Sequence, residues 1–276
     1  MYFLIINEEE KRNNKYINIE SVYCSPYVLN LNESDKYSQC AYFIEKSNKI
    51  VILSGAGIST SQNIPDFRSK TGWYSKNPQN ILSINNFINN PKEVYRFLYK
   101  YLNTIKGKTQ SKAHSIIKDL EKCKQVYVIT QNIDKLHNNN ILIEFHGNLE
   151  SAHCLKCGKK FNIEYILNDD IEDFNRCECG GLIKPDIILF DEDIKSDNIL
   201  KANNICKEAD LIMIIGTSLT VEPFASLPLK APIETPFIIL NKTATYLDDN
   251  NMSVVINEDC DKSLSEIYKR FLNKDF

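Results

Sequence analysis

The stretch Lys49-Ile-Val-Ile-Leu-Ser-Gly-Ala-Gly-Ile-Ser-Thr-Ser-Gln-Asn-Ile-Pro-Asp-Phe-Arg68 decides how the rest of the chain is read. Ile50 to Leu53 is a short apolar run rich in β-branched residues, the pattern of a buried strand. Gly55 and Gly57 follow at once and free the backbone to turn tightly, with N–H groups open to a phosphate. Asn63 to Arg68 is too polar and too Pro-broken for plain core. Strand, glycine turn and polar loop together predict nucleotide binding, although a lone Gly-x-Gly is often only a tight turn.

The downstream pattern supplies the architecture. Apolar strands are expected at Gln125–Thr130, Ile141–Phe145, Asp186–Phe190, Leu211–Ile215 and Phe237–Leu240. Helices are expected between them. One runs from a Ser34 cap through Tyr37, Cys40, Ala41 and Ile44, and one starts at Asn90-Pro91 and stops at Gly107. Others cover Ser111–Cys123 and Asn198–Ala209, and a last one is capped near Ser263 or Ser265. On the Ser111 helix, His114 reads as a structural or capping residue. Short all-apolar strands alternating with helices predict an α/β doubly wound, Rossmann-like parallel sheet. Ligands of such sheets bind at the carboxyl ends of the strands. Ser54-Gly-Ala-Gly, Thr130-Gln-Asn-Ile-Asp134, His146-Gly147, Gly216-Thr-Ser218 and Asn241-Lys242 all fall just after strands, and so share one rim.

Composition excludes several classes. The 276 residues can bury a full core, and 43% apolar with 25% charged residues is ordinary for a globular chain. A net charge of −3 makes no case for direct nucleic-acid binding. The twelve Lys/Arg against four Asp/Glu between Val51 and Gln125 read first as solvated helix faces, with a surface for an acidic partner or NAD phosphates as the alternative. The first residues lack a basic leader, no apolar run reaches a membrane span, and nine cysteines without a secretory signal argue for a reducing compartment. The expected location is nucleus or cytoplasm, with no membrane partner.

Cys154-x-x-Cys157 and Cys177-x-Cys179, each pair beside glycine, form a four-thiolate set for tetrahedral Zn²⁺. With all four positions filled by sulfur the metal is structural, and His153 reads as a surface residue. The zinc would staple a small module over residues 148–185. Across the rim, His146 has the ordinary pKa of a general base at neutral pH, though a single His is as readily core or surface. Asn132 and Asp134 offer an amide and a carboxylate, and equally fit an Asx turn. The third glycine of a dinucleotide fingerprint is replaced by Thr60, and no acid lies between Asp66 and Glu93, so hydride transfer is disfavoured.

Gly55-Ala-Gly-Ile-Ser59, Ile64-Pro-Asp-Phe-Arg-Ser69, Thr130-Gln-Asn-Ile-Asp134, His146-Gly147, the cysteine quartet, Lys184-Pro-Asp-Ile-Ile-Leu-Phe190 and Gly216-Thr-Ser-Leu219 together resemble the sirtuin family over about residues 38–274. Thr217 to Ser226 is similar to the branch that prefers short acyl groups. The resemblance implies an NAD-dependent protein-lysine deacylase acting on acetyl or longer apolar acyl groups. The acyl oxygen would attack C1′ of the nicotinamide ribose and His146 would activate a ribose hydroxyl, giving free lysine, nicotinamide and O-acyl-ADP-ribose. Gly55, Ala56, Gly57, Ile64, Asp66, Phe67 and Arg68 would border the NAD. Gln131, Asn132 and Asp134 would hold ribose and carboxamide, with Asn132 also catalytic. Gly216, Thr217 and Ser218 would take the phosphates, Asn241 and Lys242 the adenosine ribose, and Cys260 the adenine edge. The backbone of Asp186 to Leu189 would pair with an acyl-lysine peptide from a histone tail or another protein.

Residues 1–33, polar and Asn-rich, read as an extension that is poorly ordered or peripheral, and the resemblance implies a catalytic domain over 34–276. Its larger part would comprise 34–70, 108–147 and 186–276, and its smaller part helical residues 71–107 and the zinc module. Mono-ADP-ribosylation of protein from the same NAD site is the alternative activity. Lys135, Asp191 and Phe145 depart from the family pattern, and the Gly72–Asn90 connection is short. Lys135 and Asp191 are expected to add bulk and charge where acyl-lysine enters. No Tyr-x-x-Arg stands where desuccinylases carry one, which weakens the case for acidic acyl groups.

Overall fold

The computed structural model describes residues 36–76, 79–167 and 176–276. The expected N-terminal extension and the Ser34 cap lie outside the described residues. In chain order the elements are α1 (Lys36–Lys46), β1 (Lys49–Ser54), α2 (Trp73–Lys76), α3 (Ile84–Asn89), α4 (Pro91–Ile105), α5 (Lys112–Leu120), β2 (Gln125–Thr130) and β3 (Leu142–Glu144). Then follow β4 (Gly147–Cys154), β5 (Lys160–Asn162), α6 (Ile163–Ile166), β6 (Ile183–Ile187), α7 (Ser196–Lys207), β7 (Leu211–Ile215), β8 (Phe237–Leu240), β9 (Ser253–Ile256) and α8 (Cys260–Asn273). No helix of the described residues is long and apolar enough to cross a membrane.

Six strands form a parallel sheet in the order β3-β2-β1-β7-β8-β9. Every residue of β7 and β8 is buried, which is why these strands read as unbroken apolar runs. The chain runs outward from β1 to β3 and returns to start the other half at β7. The switch point therefore lies between β1 and β7, where the crevice at the carboxyl ends opens. A second sheet, β5-β4-β6, is antiparallel.

Two expectations are corrected here. Asp186–Phe190 is not a strand of the main sheet: β6 ends at Ile187 and pairs with β4, while Phe190 makes an isolated bridge to Ser83. Its apolar residues Ile187 and Leu189 are buried against the core built on α3, α4, β4 and β6, a burial that periodicity alone does not distinguish from a parallel strand. The cap of α8 is Asp259, whose carboxylate accepts from the N–H groups of Asp261 and Lys262. Ser263 lies buried inside the helix, and Ser265 Oγ donates back to the Asp261 carbonyl. Strand β9 was not expected from the sequence, since Ser253-Val-Val-Ile256 is short and sits among turn residues.

Among the described residues the buried apolar side chains include two well-defined clusters. One joins the sheet strands to α7 and the segment around Phe224. The other joins α3 and α4 to β4, α6 and β6, with Tyr95, Phe97, Leu98 and Tyr101 of the α4 stripe against Leu149, Ile163 and Ile183. His114 takes the capping role, accepting the Ser111 N–H on Nδ1 (3.3 Å) while the Ser111 side chain caps the backbone of His114.

The glycines of the opening stretch are demanded by contact between turns. Gly57 N–H donates to the Gly216 carbonyl (2.8 Å), and Gly55 N–H to Ile215 (3.1 Å). A Cβ on Gly57 would lie 2.6 Å from Gly216 Cα, and one on Gly55 would lie 2.7 Å from Thr217 Cβ. Gly216 itself has φ +64°. Gly57→Ala should therefore lower stability by about 1–3 kcal/mol, the usual cost of overpacking, read as a fall in the denaturation midpoint. An unchanged midpoint would show that the two turns can part freely.

Candidate active site and metal centre

The ends of β1, β2, β7 and β8 open onto one cleft of about 1160 Å³. It is walled by Gly55, Ala56, Gly57, Asp66, Phe67, Arg68, Gln131, Asn132, His146, Gly216, Thr217, Ser218, Asn241, Lys242 and Cys260. Two of the expected cofactor residues stand off its wall. Ile64 and Asp134 are both buried, and neither lines the cleft.

The residues after β1 run into a 3₁₀ turn over Ala56–Gln62, closed by Asn63 at φ 58°. Asp66 Oδ1 then accepts from the N–H groups of Arg68 (3.1 Å) and Ser69 (2.8 Å), so the loop carries its own tie. Phe67 stacks on Tyr101 with ring centres 5.9 Å apart, which fastens the loop to α4. Across the switch point, Thr217 Oγ1 donates to Gln131 Oε1 (2.8 Å), linking the rim after β7 to the rim after β2.

Asn132 is held from three sides. Its N–H donates to Thr130 Oγ1 (3.1 Å), and its side-chain amide donates to the Gly55 carbonyl (3.2 Å) and Ser59 Oγ (3.4 Å). Ser59 in turn donates to Asp134 Oδ2 (2.7 Å), while Asp134 Oδ1 accepts the Leu136 N–H (3.0 Å). The Asp134 carboxyl pKa is raised, burial being the cause and these bonds opposing it. Asp134 thus acts here as the keystone of the Asn132 loop.

His146 stands on the cleft wall with Nδ1 at 3.2 Å from the Gln131 carbonyl. A carbonyl only accepts, so Nδ1 carries the hydrogen and Nε2 keeps its lone pair. Burial lowers its pKa below 6.5; the bond to Gln131 opposes this and the nearby Arg68 charge adds to it. The imidazole packs beside Phe145 and Phe224. A base that stays neutral at physiological pH, with its tautomer fixed, can receive a proton at Nε2.

Lys242 pairs with Asp259 (3.2 Å) and Asn241 Nδ2 donates to the Thr243 carbonyl (2.8 Å). The Cys260 thiol, buried at the start of α8, donates to Leu240 (3.5 Å) and is pushed up to about 12 by burial, which leaves it inert. Asp191 lines the cleft with φ 63°, as expected of a residue near its mouth. Lys135 does not line it: with φ 61°, it turns its ammonium to Glu150 (3.1 Å) and Glu144 (3.5 Å). Its charge is neutralised away from the cleft, because Glu144 and Glu150 come from the neighbouring strands β3 and β4.

One group was missed in the sequence. His137 is buried with Nε2 at 2.9 Å from Ser54 Oγ, and Ser54 donates to Thr130 Oγ1 (2.9 Å), the acceptor of the Asn132 N–H. Its ring centre is 4.4 Å from that of His114. No periodicity marks residues 131–141, so only the fold reveals this support behind the site.

The four sulfurs of Cys154, Cys157, Cys177 and Cys179 all lie within 4.8 Å of one another, with Cys154–Cys179 and Cys157–Cys177 at 3.5 Å. Zn–S bonds of about 2.3 Å in a tetrahedron imply sulfur separations of about 3.8 Å, so the set fits zinc. His153 is not in it; its Nδ1 is 2.5 Å from Asp186 Oδ1.

Residues 55–223 match the Sir2 family. The chain is 36% identical over 248 residues to NAD-dependent protein deacetylase 2 of Caldanaerobacter subterraneus subsp. tengcongensis, covering 86% of this chain and 97% of that protein. It is 36% identical to the NAD-dependent protein deacetylase of Thermotoga maritima, over 77% of this chain and 91% of that one. Among solved structures, a Sir2 protein with a deacetylated p53 peptide and 3′-O-acetyl ADP-ribose superposes with TM-score 0.78 at 33% identity, over 83% of this chain and 96% of that one. Another, bound to a propionylated peptide, gives 0.73 at 32% identity, over 83% and 95%.

Two outcomes are expected. His137 and His114 are pushed down by burial to about 3 and about 4, and His146 is lowered too. Folded pKa values below the unfolded 6.5 mean that this stability is complete above pH 6.5 and is lost as pH falls toward 4. Thermal unfolding should therefore drop by several degrees between pH 6.5 and 5, above the carboxylate range; a flat profile there would contradict it. Removing zinc with a chelator should expose residues 148–185 to protease. Resistance after confirmed metal loss would rule out a stapling metal.

Proposed function

The chain belongs to the Sir2 family, the sirtuins, and on that premise we propose that it works as an NAD-dependent protein-lysine deacylase whose base is His146. The reaction consumes NAD, one water and an acyl-lysine protein or peptide: nicotinamide leaves C1′ of the ribose, water breaks the acyl–nitrogen bond, and free lysine and O-acyl-ADP-ribose result. Acetyl and longer apolar acyl groups are the substrate class. The observation that carries the site assignment is the cleft-wall imidazole of His146, held by Gln131 in the tautomer whose Nε2 can take a proton. Asn132, pinned by Thr130, Gly55 and Ser59, orients the ribose or the attacking group. The turns at Gly55–Gly57 and Gly216–Ser218 receive the phosphates, and Asn241 and Lys242 meet the adenosine end. The zinc held by the four cysteines is structural and takes no part in the chemistry.

Mono-ADP-ribosylation is the less favoured reading, since the relatives carry deacetylase names. A histone tail is one candidate for the substrate. The nucleus or cytoplasm is the compartment we assign, on the support of eight free cysteines among the described residues.

Incubation with NAD and acetyl-lysine peptide should release nicotinamide in a peptide-dependent way. His146→Ala should cut that rate by about 10²–10⁴, the worth of a general base; release at the wild-type rate would remove His146 from the mechanism. Because the His146 pKa is lowered, the acid limb of kcat/KM should fall below pH 6.5. A limb above 7 would point to another group.

A further inference from the structure

Lys184 is a buried charge that the chemistry above leaves unused. Its side chain is only 2% exposed, although it lies in β6 beside the cleft. The ammonium donates to the carbonyls of Ile187 (2.6 Å) and Pro185 (3.2 Å) and pairs with Glu192 Oε2 (2.9 Å), which uses all three of its hydrogens. Glu192 Oε2 also accepts the Leu189 N–H (2.9 Å), and Glu192 N–H returns to the Leu189 carbonyl (3.2 Å). Glu192 thereby closes residues 189–192 into a turn, and Lys184 bolts that turn to β6.

The segment so held is the wall of the cleft. Ile188 N–H donates to the His146 carbonyl (2.8 Å) and Phe190 N–H to Leu82 (2.8 Å), while Phe190 C=O accepts from Ile84 N–H (2.9 Å). The stretch from Ile187 to Phe190 is therefore bonded along its length to the segments at His146 and Leu82–Ile84, and Asp191 at φ 63° turns the chain away. A buried ammonium is costly without full pairing, and an apolar side chain would serve mere packing as well. A charge that instead satisfies backbone carbonyls on this segment and closes its turn acts on the segment's shape.

We propose that the Lys184–Glu192 pair is a positioning device for the acyl-lysine substrate, holding residues 187–190 in the form against which the peptide adds as a strand and fixing the turn that follows. This rests on the deacylase reading. Both are positioning residues, because they act through the backbone of Ile187 to Asp191.

The test uses the full-length chain with NAD and an acetyl-lysine peptide, titrating each in turn and melting each variant. In Glu192→Ala and Lys184→Met the KM for peptide should rise about tenfold or more, with kcat within threefold and the KM for NAD within twofold of wild type. Lys184→Arg, which keeps the charge and can still reach Glu192, should recover most of the peptide KM. If Lys184→Met does not fold, Glu192→Ala, altered on a half-buried turn, decides alone. A wild-type peptide KM in folded Glu192→Ala overturns the proposal while leaving the deacylase reading intact. Parallel losses in kcat and in the KM for NAD also overturn it, since they mark general destabilisation. Absence of peptide-dependent nicotinamide release in wild type defeats the deacylase reading itself, and this inference with it.

Discussion

Everything in the cleft depends on how closely the turns after β1 and β7 approach each other. Gly57 and Gly216 meet backbone to backbone, with a 2.8 Å hydrogen bond and no room for a methyl group on either side. This seam sits at the switch point of the sheet, so it sets the floor of the crevice and the spacing of the two halves. Thr217 and Gln131 carry the same connection one strand further. The usual reason given for glycine at such a turn is approach of a phosphate. Here the first demand is internal, and backbone N–H groups can face a ligand only after the two turns have docked.

Around that seam a buried polar web holds the reacting groups. Ser59 joins Asn132 to Asp134, Thr130 fixes the Asn132 backbone, and Ser54 with His137 braces Thr130 from behind. Each member spends its hydrogen-bonding capacity on a neighbour, which keeps side chains from drifting in a low-dielectric interior. His146 is treated the same way through a single bond to Gln131. Burial beside Phe145 and Phe224, with the Arg68 charge nearby, keeps the ring neutral and ready to accept a proton.

The antiparallel sheet that carries the cysteine quartet borders the cleft wall. Its strand β6 leads directly into the wall that follows His146, and Tyr95 of α4 donates to the Ile183 carbonyl (2.5 Å) within it. A metal that stiffens β4 and β6 therefore also steadies the edge where a peptide would lie. The buried Lys184 sits at the junction, tied to both the strand and the turn beyond it.

The residues by themselves determined the fold class, the positions of five of the six sheet strands, the cysteine quartet and the set of motifs at one rim. Those features rest on local signals: all-apolar strands, close cysteine pairs, and polar residues after each strand. Other features rest on contacts between residues far apart in the chain. The sixth strand, β9, was too short and too plain to show. The apolar run at 186–190 looked like any parallel strand until its partner proved to be β4. Asp134 and Ile64 lie in rim motifs yet face inward, and Lys135 finds its acids on two other strands. His137 has no local pattern at all, and Lys184, though it opens a motif, gives no sign in the sequence that its charge is buried against Glu192. Periodicity and spacing report which face of an element is apolar, while the partner of a buried polar group depends on which distant segment packs against it, and only the tertiary structure decides that.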